Sequence, residues 1–101
     1  METHIGRVTH FFNHIFVAVL SLTGELKIGD VVHIFGHSTD FVQQIKSMEI
    51  DHCPVNTVGP GQEAALKVLK PVRRGDAVLK VSGPEAEQLL REERGFFEDS
   101  L

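Results

Sequence analysis

Alternating apolar and polar positions dominate the first part of the chain. Residues 5–12 (IGRVTHFF) and 15–22 (IFVAVLSL) are rich in β-branched and aromatic side chains, and only Asn13 and His14 separate them. This composition predicts two strands, and a two-residue connection that begins with Asn suits a turn with positive φ. The second run is almost continuously apolar, which favours a strand whose outer face is covered. We therefore predict a β-hairpin here.

A Gly-Asp pair stands directly before two later alternating runs. Gly29-Asp30 precedes VVHIF, and Gly75-Asp76 precedes AVLKV. Glycine can adopt a backbone conformation closed to other residues, and the Asp carboxylate can accept backbone N–H groups left unpaired at the start of a strand. The pattern predicts the same strand-entry turn at both places.

Residues 40–51 (DFVQQIKSMEID) change the parity of their alternation. Phe41 and Ile45 share one parity, whereas Met48 takes the other. A β-bulge near residues 46–47 would restore the inward direction and bend the strand, as small barrels require. The next segment, CPVNTVGPGQ, is rich in Pro and Gly and indicates a loop. Two further strand candidates follow, EAALKVLK and DAVLKV.

Six short strands with no convincing helix before residue 84 predict an all-β fold over residues 1–82. We expect a six-stranded antiparallel closed β-barrel. Residues 83–101 form a separate acidic segment, in which residues 83–95 have the early Pro and Glu, late Arg and final Gly of a short helix. Its apolar side is limited to three residues, so its docking should be weak: Ala86, Leu89 and Leu90.

Length and composition narrow the class of protein. A chain of 101 residues suits one domain, and no apolar run approaches the roughly 20 residues of a membrane-spanning helix. The N-terminus does not resemble a signal peptide, and the single Cys53 has no internal disulfide partner. These features predict a cytoplasmic protein without a membrane partner. The net charge of −4 comes from residues 83–101, because the rest has eight acidic and eight basic residues.

Three motifs in order give a family resemblance: GELKIGDVVHIFG, MEIDHCPVNTVGPGQEAALKV and VRRGDAVLKV. Together, across residues 5–81, they closely resemble the second domain of translational GTPases such as elongation factor Tu. The resemblance implies a six-stranded barrel that contacts RNA, ribosome-associated factors or neighbouring domains. The chain is also similar to the barrels that end a family of collagenase-like bacterial peptidases, and it looks like the standalone form of such barrels.

Catalysis does not follow from this resemblance. The chain has no G-x-x-x-x-G-K-[ST] loop to bind GTP, and it matches no peptidase residues. His33, His37, His52 and Cys53 are candidate metal ligands, but their spacing does not form two clusters typical of zinc sites. Neighbours in a strand point in opposite directions, so His52 is poorly placed to activate Cys53. We expect no enzyme activity, no cofactor and no metal, with His33 facing outward and Cys53 partly buried.

The strongest binding candidate is the basic segment LKVLKPVRRGD. Lys67, Lys70, Arg73 and Arg74 lie within eight residues, and Lys27 could join them to form one positive edge. Such an edge could contact RNA phosphates, with Phe11 or Phe35 stacking on bases if exposed. A solvated loop is the alternative.

A protein-interaction module is the second hypothesis, because related barrels pack against other domains. The acidic tail offers Phe96-Phe97 as a short docking motif, although local packing against the barrel would also explain this pair. We therefore predict a non-enzymatic, translation-associated RNA-binding module. A protein–protein adaptor or an accessory domain of a larger enzyme is the alternative.

Overall fold

A computed structural model describes the backbone of residues 2–98 and the side chains of residues 2–91. The described chain forms ten β-strands followed by one α-helix. The strands are β1 (Glu2–Phe12), β2 (Val17–Leu22), β3 (Leu26–Lys27), β4 (Val31–Phe35), β5 (Asp40–Gln44), β6 (Glu49–Ile50), β7 (Cys53–Pro54), β8 (Thr57–Val58), β9 (Glu63–Lys67) and β10 (Ala77–Val81), and the helix is α1 (Pro84–Glu98).

Eight strands form one antiparallel sheet in the order β5-β4-β10-β1-β2-β9-β6-β7, and β3 pairs with β8 separately. The prediction of a mostly β fold with a short C-terminal helix is confirmed. The prediction of a closed six-stranded barrel is not confirmed, because the backbone ladder does not close: β5 lies at one edge and β7 at the other.

The predicted bulge at residues 46–47 is a complete break between strands. β5 pairs with β4, whereas β6 pairs with β7 and β9 on the other side of the sheet. Ile45 and Met48 are both buried in the irregular segment between β5 and β6. Because this segment leaves the strand conformation, it has no alternation to preserve. Register irregularities occur within β1 instead, between His4 and Gly6 and between Val8 and His10.

The first hairpin has a longer connection than predicted. Four residues separate Phe12 at the end of β1 from Val17 at the start of β2. The positive φ belongs to Phe16, at 53°, and not to Asn13. The two-residue turn was therefore a wrong prediction, because the apolar residues at positions 15 and 16 belong to the turn.

One main core fills the space enclosed by the sheet. Burial alternates along β2, where Ala18, Leu20 and Leu22 point inward and the intervening residues are partly exposed. The outer face of β2 was predicted to be covered, but its outward residues are partly exposed. The helix α1 does not cover them, because it packs against another part of the sheet. Its Ala86, Leu89 and Leu90 lie against a second small cluster formed by Val31, Val42 and Val81.

The helix starts at Pro84, directly after Gly83, whose φ is +78°. It continues to Glu98, past the predicted end at Gly95. No helix in the described part of the chain combines the length and apolar character needed to cross a membrane.

Candidate interaction surface

The two Gly-Asp pairs form turns with the same hydrogen bonds. Asp30 N–H donates to the Lys27 carbonyl, and Lys27 N–H donates to the Asp30 carboxylate at 2.8 Å. Asp76 and Arg73 repeat both bonds, again with 2.8 Å to the carboxylate. Gly29 and Gly75 have φ of +95° and +94°, as the third residue of a type II turn requires.

The predicted repetition is therefore present, with one correction. Each carboxylate bonds the first N–H of its turn, three residues earlier, and not an N–H at the start of the following strand. A third turn of this form, absent from the sequence prediction, spans residues 59–62. Gln62 there replaces Asp, because its side-chain oxygen accepts the Gly59 N–H at 2.8 Å and Gly61 has φ of +86°.

The loop after β9 carries the predicted basic cluster. Lys67 ends β9, and Lys70, Arg73 and Arg74 follow before β10 begins. All four residues are exposed. Strand pairing places this loop beside the β1–β2 turn, because Lys67 pairs with Val17. The four basic residues thus share one end of the sheet, although phosphate contact by them stays a prediction.

Lys27 does not join this cluster. β4 and β10 are antiparallel, with Phe35 paired to Ala77 at one end and Val31 paired to Val81 at the other. The turn that contains Lys27 precedes β4, and the turn with the two arginines precedes β10. A five-residue ladder, roughly 17 Å long, therefore separates the two turns. Lys27 instead lies 3.8 Å from Glu25, between the ammonium and a carboxylate oxygen.

Several exposed apolar side chains accompany the basic residues. We call the β1–β2 turn, the loop between β9 and β10 and the β4–β5 turn together the apolar–basic end, which corresponds to residues 12–16, 67–76 and 35–40. Its exposed large apolar residues are Phe12, Ile15, Phe16, Phe35 and Leu69. Of the two predicted stacking residues, Phe35 is exposed, whereas Phe11 is partly buried and packs against the core.

Gln43 of β5 holds the loop after β9 in place. Its side-chain amide donates to the Lys67 carbonyl at 2.9 Å, and its side-chain oxygen accepts the Leu69 N–H at 2.9 Å. Gln43 is buried, and Lys70 places its ammonium 6.0 Å from the centre of the Phe41 ring. The sequence prediction missed Gln43 because its partners lie 24 and 26 residues away.

His33 lies on the outer side of β4, as predicted, and bridges two acids. Its Nδ1 lies 2.8 Å from a Glu2 carboxylate oxygen, and its Nε2 lies 2.6 Å from an Asp40 carboxylate oxygen. Partial burial lowers the pKa of His33, but hydrogen bonds to Glu2 and then Asp40 outweigh it and raise the pKa above its ordinary value of 6.5. The protonated ring, which donates from both nitrogens, therefore joins β1, β4 and β5.

The other candidate ligands, His37, His52 and Cys53, belong to no metal-binding group in the described part of the chain. Among the described residues, no three His, Cys, Asp or Glu side chains are grouped to hold a metal ion. Cys53 is exposed, contrary to its predicted partial burial. Asp51 and His52 both have positive φ and form the turn of the β6–β7 hairpin. The side chains of the predicted docking pair Phe96-Phe97 lie outside the described part of the chain.

Comparison with known proteins finds a relative in sequence and several solved structures with a similar fold. An uncharacterized protease of Methanocaldococcus jannaschii is 40% identical over 78 residues, which are 76% of this chain and 19% of that protein. This chain therefore spans about a fifth of the length of its relative. No family model matches the sequence.

Two of these structures are of the C-terminal domain of a Geobacillus thermoleovorans protein assigned to the U32 peptidases. The first has a TM-score of 0.75 and 20% identity, and covers 79% of this chain and 93% of that domain. Its selenomethionine variant has a TM-score of 0.71 and 22% identity, and covers 74% and 95%. At this identity the likeness shows a shared fold. It agrees with the predicted resemblance to peptidase C-terminal barrels, whereas identity with the elongation factor domain is not shown.

Proposed function

We propose that this chain is a non-catalytic accessory module that binds the body of a U32-type peptidase. The sequence match carries the proposal, because the segment that matches this chain makes up 19% of a protease and is therefore a minor part of that protein. The fold supports the same interpretation, since the matching structures are C-terminal domains of a peptidase and not its whole chain. These comparisons favour the accessory-domain hypothesis over the RNA-binding hypothesis.

The charged side chains of the chain also support a structural and binding role. Asp30 and Asp76 bond the backbone of their own turns, and His33 joins three strands through carboxylates. These contacts hold the turns before β4 and β10 on the sheet, and loops positioned by a rigid scaffold commonly carry binding residues. The remaining basis for RNA binding is the exposed basic loop, and it applies equally to an acidic protein surface.

The proposal is tested by association in trans. The M. jannaschii relative is prepared without the segment that matches this chain, and the two proteins are mixed and followed by sedimentation velocity. We expect the chain to co-sediment with the truncated relative. The intact relative is the control. Its own matching segment should occupy the site where this chain would bind, so we expect no association with the intact protein. Independent sedimentation of the chain and the truncated relative would refute the proposed association.

A further inference from the structure

Exposed apolar side chains are concentrated at the apolar–basic end. Among the described residues, six large apolar side chains are exposed, and Ile28 is the one that lies at the opposite end. Leu69 is 70% exposed and Ile15 is 59% exposed, the two highest values of the set. Single exposed apolar residues are ordinary, whereas a cluster marks a surface that another molecule covers.

The exposed charge around this cluster is positive. The acids of these three segments are Asp40 and Asp76. Asp40 pairs with His33 but keeps a side chain that is 69% exposed, whereas Asp76 is 6% exposed with its carboxylate bonded to the Arg73 N–H. The four exposed basic residues of the loop outnumber the one exposed acid, so they set the sign of the potential there. A partner surface with acidic groups around apolar ones is complementary to it.

Backbone constraints keep the apolar residues in place. Val68 N–H donates to the Phe16 carbonyl at 2.9 Å, which fixes the β1–β2 turn to the loop after β9. Gln43 holds the two residues that flank Val68. Phe16 has a φ of 53°, a conformation that is rare for a bulky residue and that persists only where the surrounding structure holds it. A fixed surface loses less entropy on binding than a mobile one.

The side-chain types favour a protein partner over a nucleic acid. Unpaired bases bind by stacking on flat rings, with phosphates held by Lys and Arg. Phe12, Phe16 and Phe35 of this end do offer exposed rings, but the two most exposed apolar residues, Leu69 and Ile15, are aliphatic and offer none. Apolar side chains of a protein partner can pack against aliphatic side chains, because such packing needs no flat ring.

We infer that the apolar–basic end is the docking surface for an acidic, apolar patch on the peptidase body. Its apolar residues include Ile15, Phe16 and Leu69, and Lys67, Arg73 and Arg74 are exposed basic residues of the same end. The identity of the peptidase rests on the proposed function, whereas the chemistry of the patch rests on the exposure and charge of these residues.

A peptide experiment tests this chemistry without the peptidase. The full chain is methyl-labelled at Ile and Leu and titrated with two peptides that share the same Phe and Leu residues, one carrying Glu and the other an equal number of Lys. We expect the Glu peptide alone to shift the Ile15 and Leu69 methyls, with weaker shifts at higher salt. Ile28 is the internal control. Equal effects of the two peptides, or no shift at Ile15 and Leu69, would overturn the inference.

Matched variants then locate the contact with the truncated M. jannaschii relative. Lys67→Glu combined with Arg73→Glu should weaken binding about tenfold or more, whereas Lys27→Glu reverses a charge at the opposite end and should leave it unchanged. Leu69→Ser should likewise weaken binding, whereas Ile28→Ser, at the opposite end, should leave it unchanged.

Each outcome separates the two proposals. If the wild-type chain binds and the double variant binds as tightly, the docking surface is wrong and the accessory function stands. If the wild-type chain does not bind, the accessory function fails and the peptide titration still decides the surface. Transfer RNA that shifts the same methyls more strongly than the Glu peptide would overturn the inference in favour of RNA.

Discussion

Asp30 and Asp76 make the same hydrogen bond but differ in how far they are buried. Replacing each of them by Ala should therefore lower stability by different amounts. Both carboxylates accept the first N–H of their turn at 2.8 Å. Asp76 is buried, whereas Asp30 is partly exposed. Asp76 also lies so close to Gly36 that a Cβ at that position would overlap its carboxylate.

The loss of stability in each variant depends on whether water can replace the carboxylate as the acceptor for the freed backbone N–H. At Asp30, water can reach the freed Lys27 N–H, so Asp30→Ala should cost about 1 kcal/mol. The ion pair with Lys80, at 3.7 Å, adds little because such pairs contribute roughly 0–1 kcal/mol. At Asp76, the Arg73 N–H loses a charged acceptor where water is mostly excluded. Asp76→Ala should therefore cost about 2–3 kcal/mol.

Thermal unfolding by circular dichroism measures both losses. For a domain of this size we expect the melting temperature to fall by roughly 4–8 °C in Asp30→Ala and by roughly 10–20 °C in Asp76→Ala. Asp76→Asn is the control, because its amide oxygen keeps an acceptor and should lose less than Ala. Equal losses in the two Ala variants, or a larger loss at Asp30, would refute the argument from burial.

Three further predictions concern contacts that cross the sheet. The stabilisation from His33 should be complete below about pH 6.5 and should disappear as the pH rises through the raised pKa of His33. The difference in the free energy of urea unfolding between wild type and His33→Asn should therefore shrink as the pH rises. A difference that grows with pH would contradict the bridging role of His33. Gly36→Ala should lower stability by about 1–3 kcal/mol, because the added Cβ would overlap the Asp76 carboxylate. A double-mutant cycle with Asp76→Ala should show that the two losses do not add. Additive losses would argue against the close approach of Gly36 and Asp76. Gln43→Leu should cost about 2–4 kcal/mol in urea unfolding and speed amide exchange at Leu69, because two backbone groups lose their partner; unchanged exchange would show that Gln43 does not hold the loop.

Local patterns predicted those features whose cause lies within a few residues. The Gly-Asp turns were predicted from a glycine that tolerates positive φ and an adjacent carboxylate, although the backbone N–H that each carboxylate accepts was predicted wrongly. The helix docks through Ala86, Leu89 and Leu90 because these are its apolar positions. The outward direction of His33 follows from strand alternation.

Features that depend on distant parts of the chain were missed or wrong. The chain crosses from β5 at one side of the sheet to β6 at the other, which no parity argument over residues 40–51 could show. Gln43 bonds a loop far along the sequence, and Lys27 lies at the opposite end from the arginines because β4 and β10 run antiparallel. The apolar–basic end likewise combines three segments that the sequence keeps apart.

Calorimetric titration of the chain into the truncated M. jannaschii relative, at two temperatures and two salt concentrations, tests the accessory-module proposal most directly. We expect saturable binding, a negative heat-capacity change from the buried apolar side chains and weaker affinity at higher salt. Absence of binding heat at both temperatures would contradict the association with a peptidase body. Binding with no heat-capacity change would contradict an apolar docking surface.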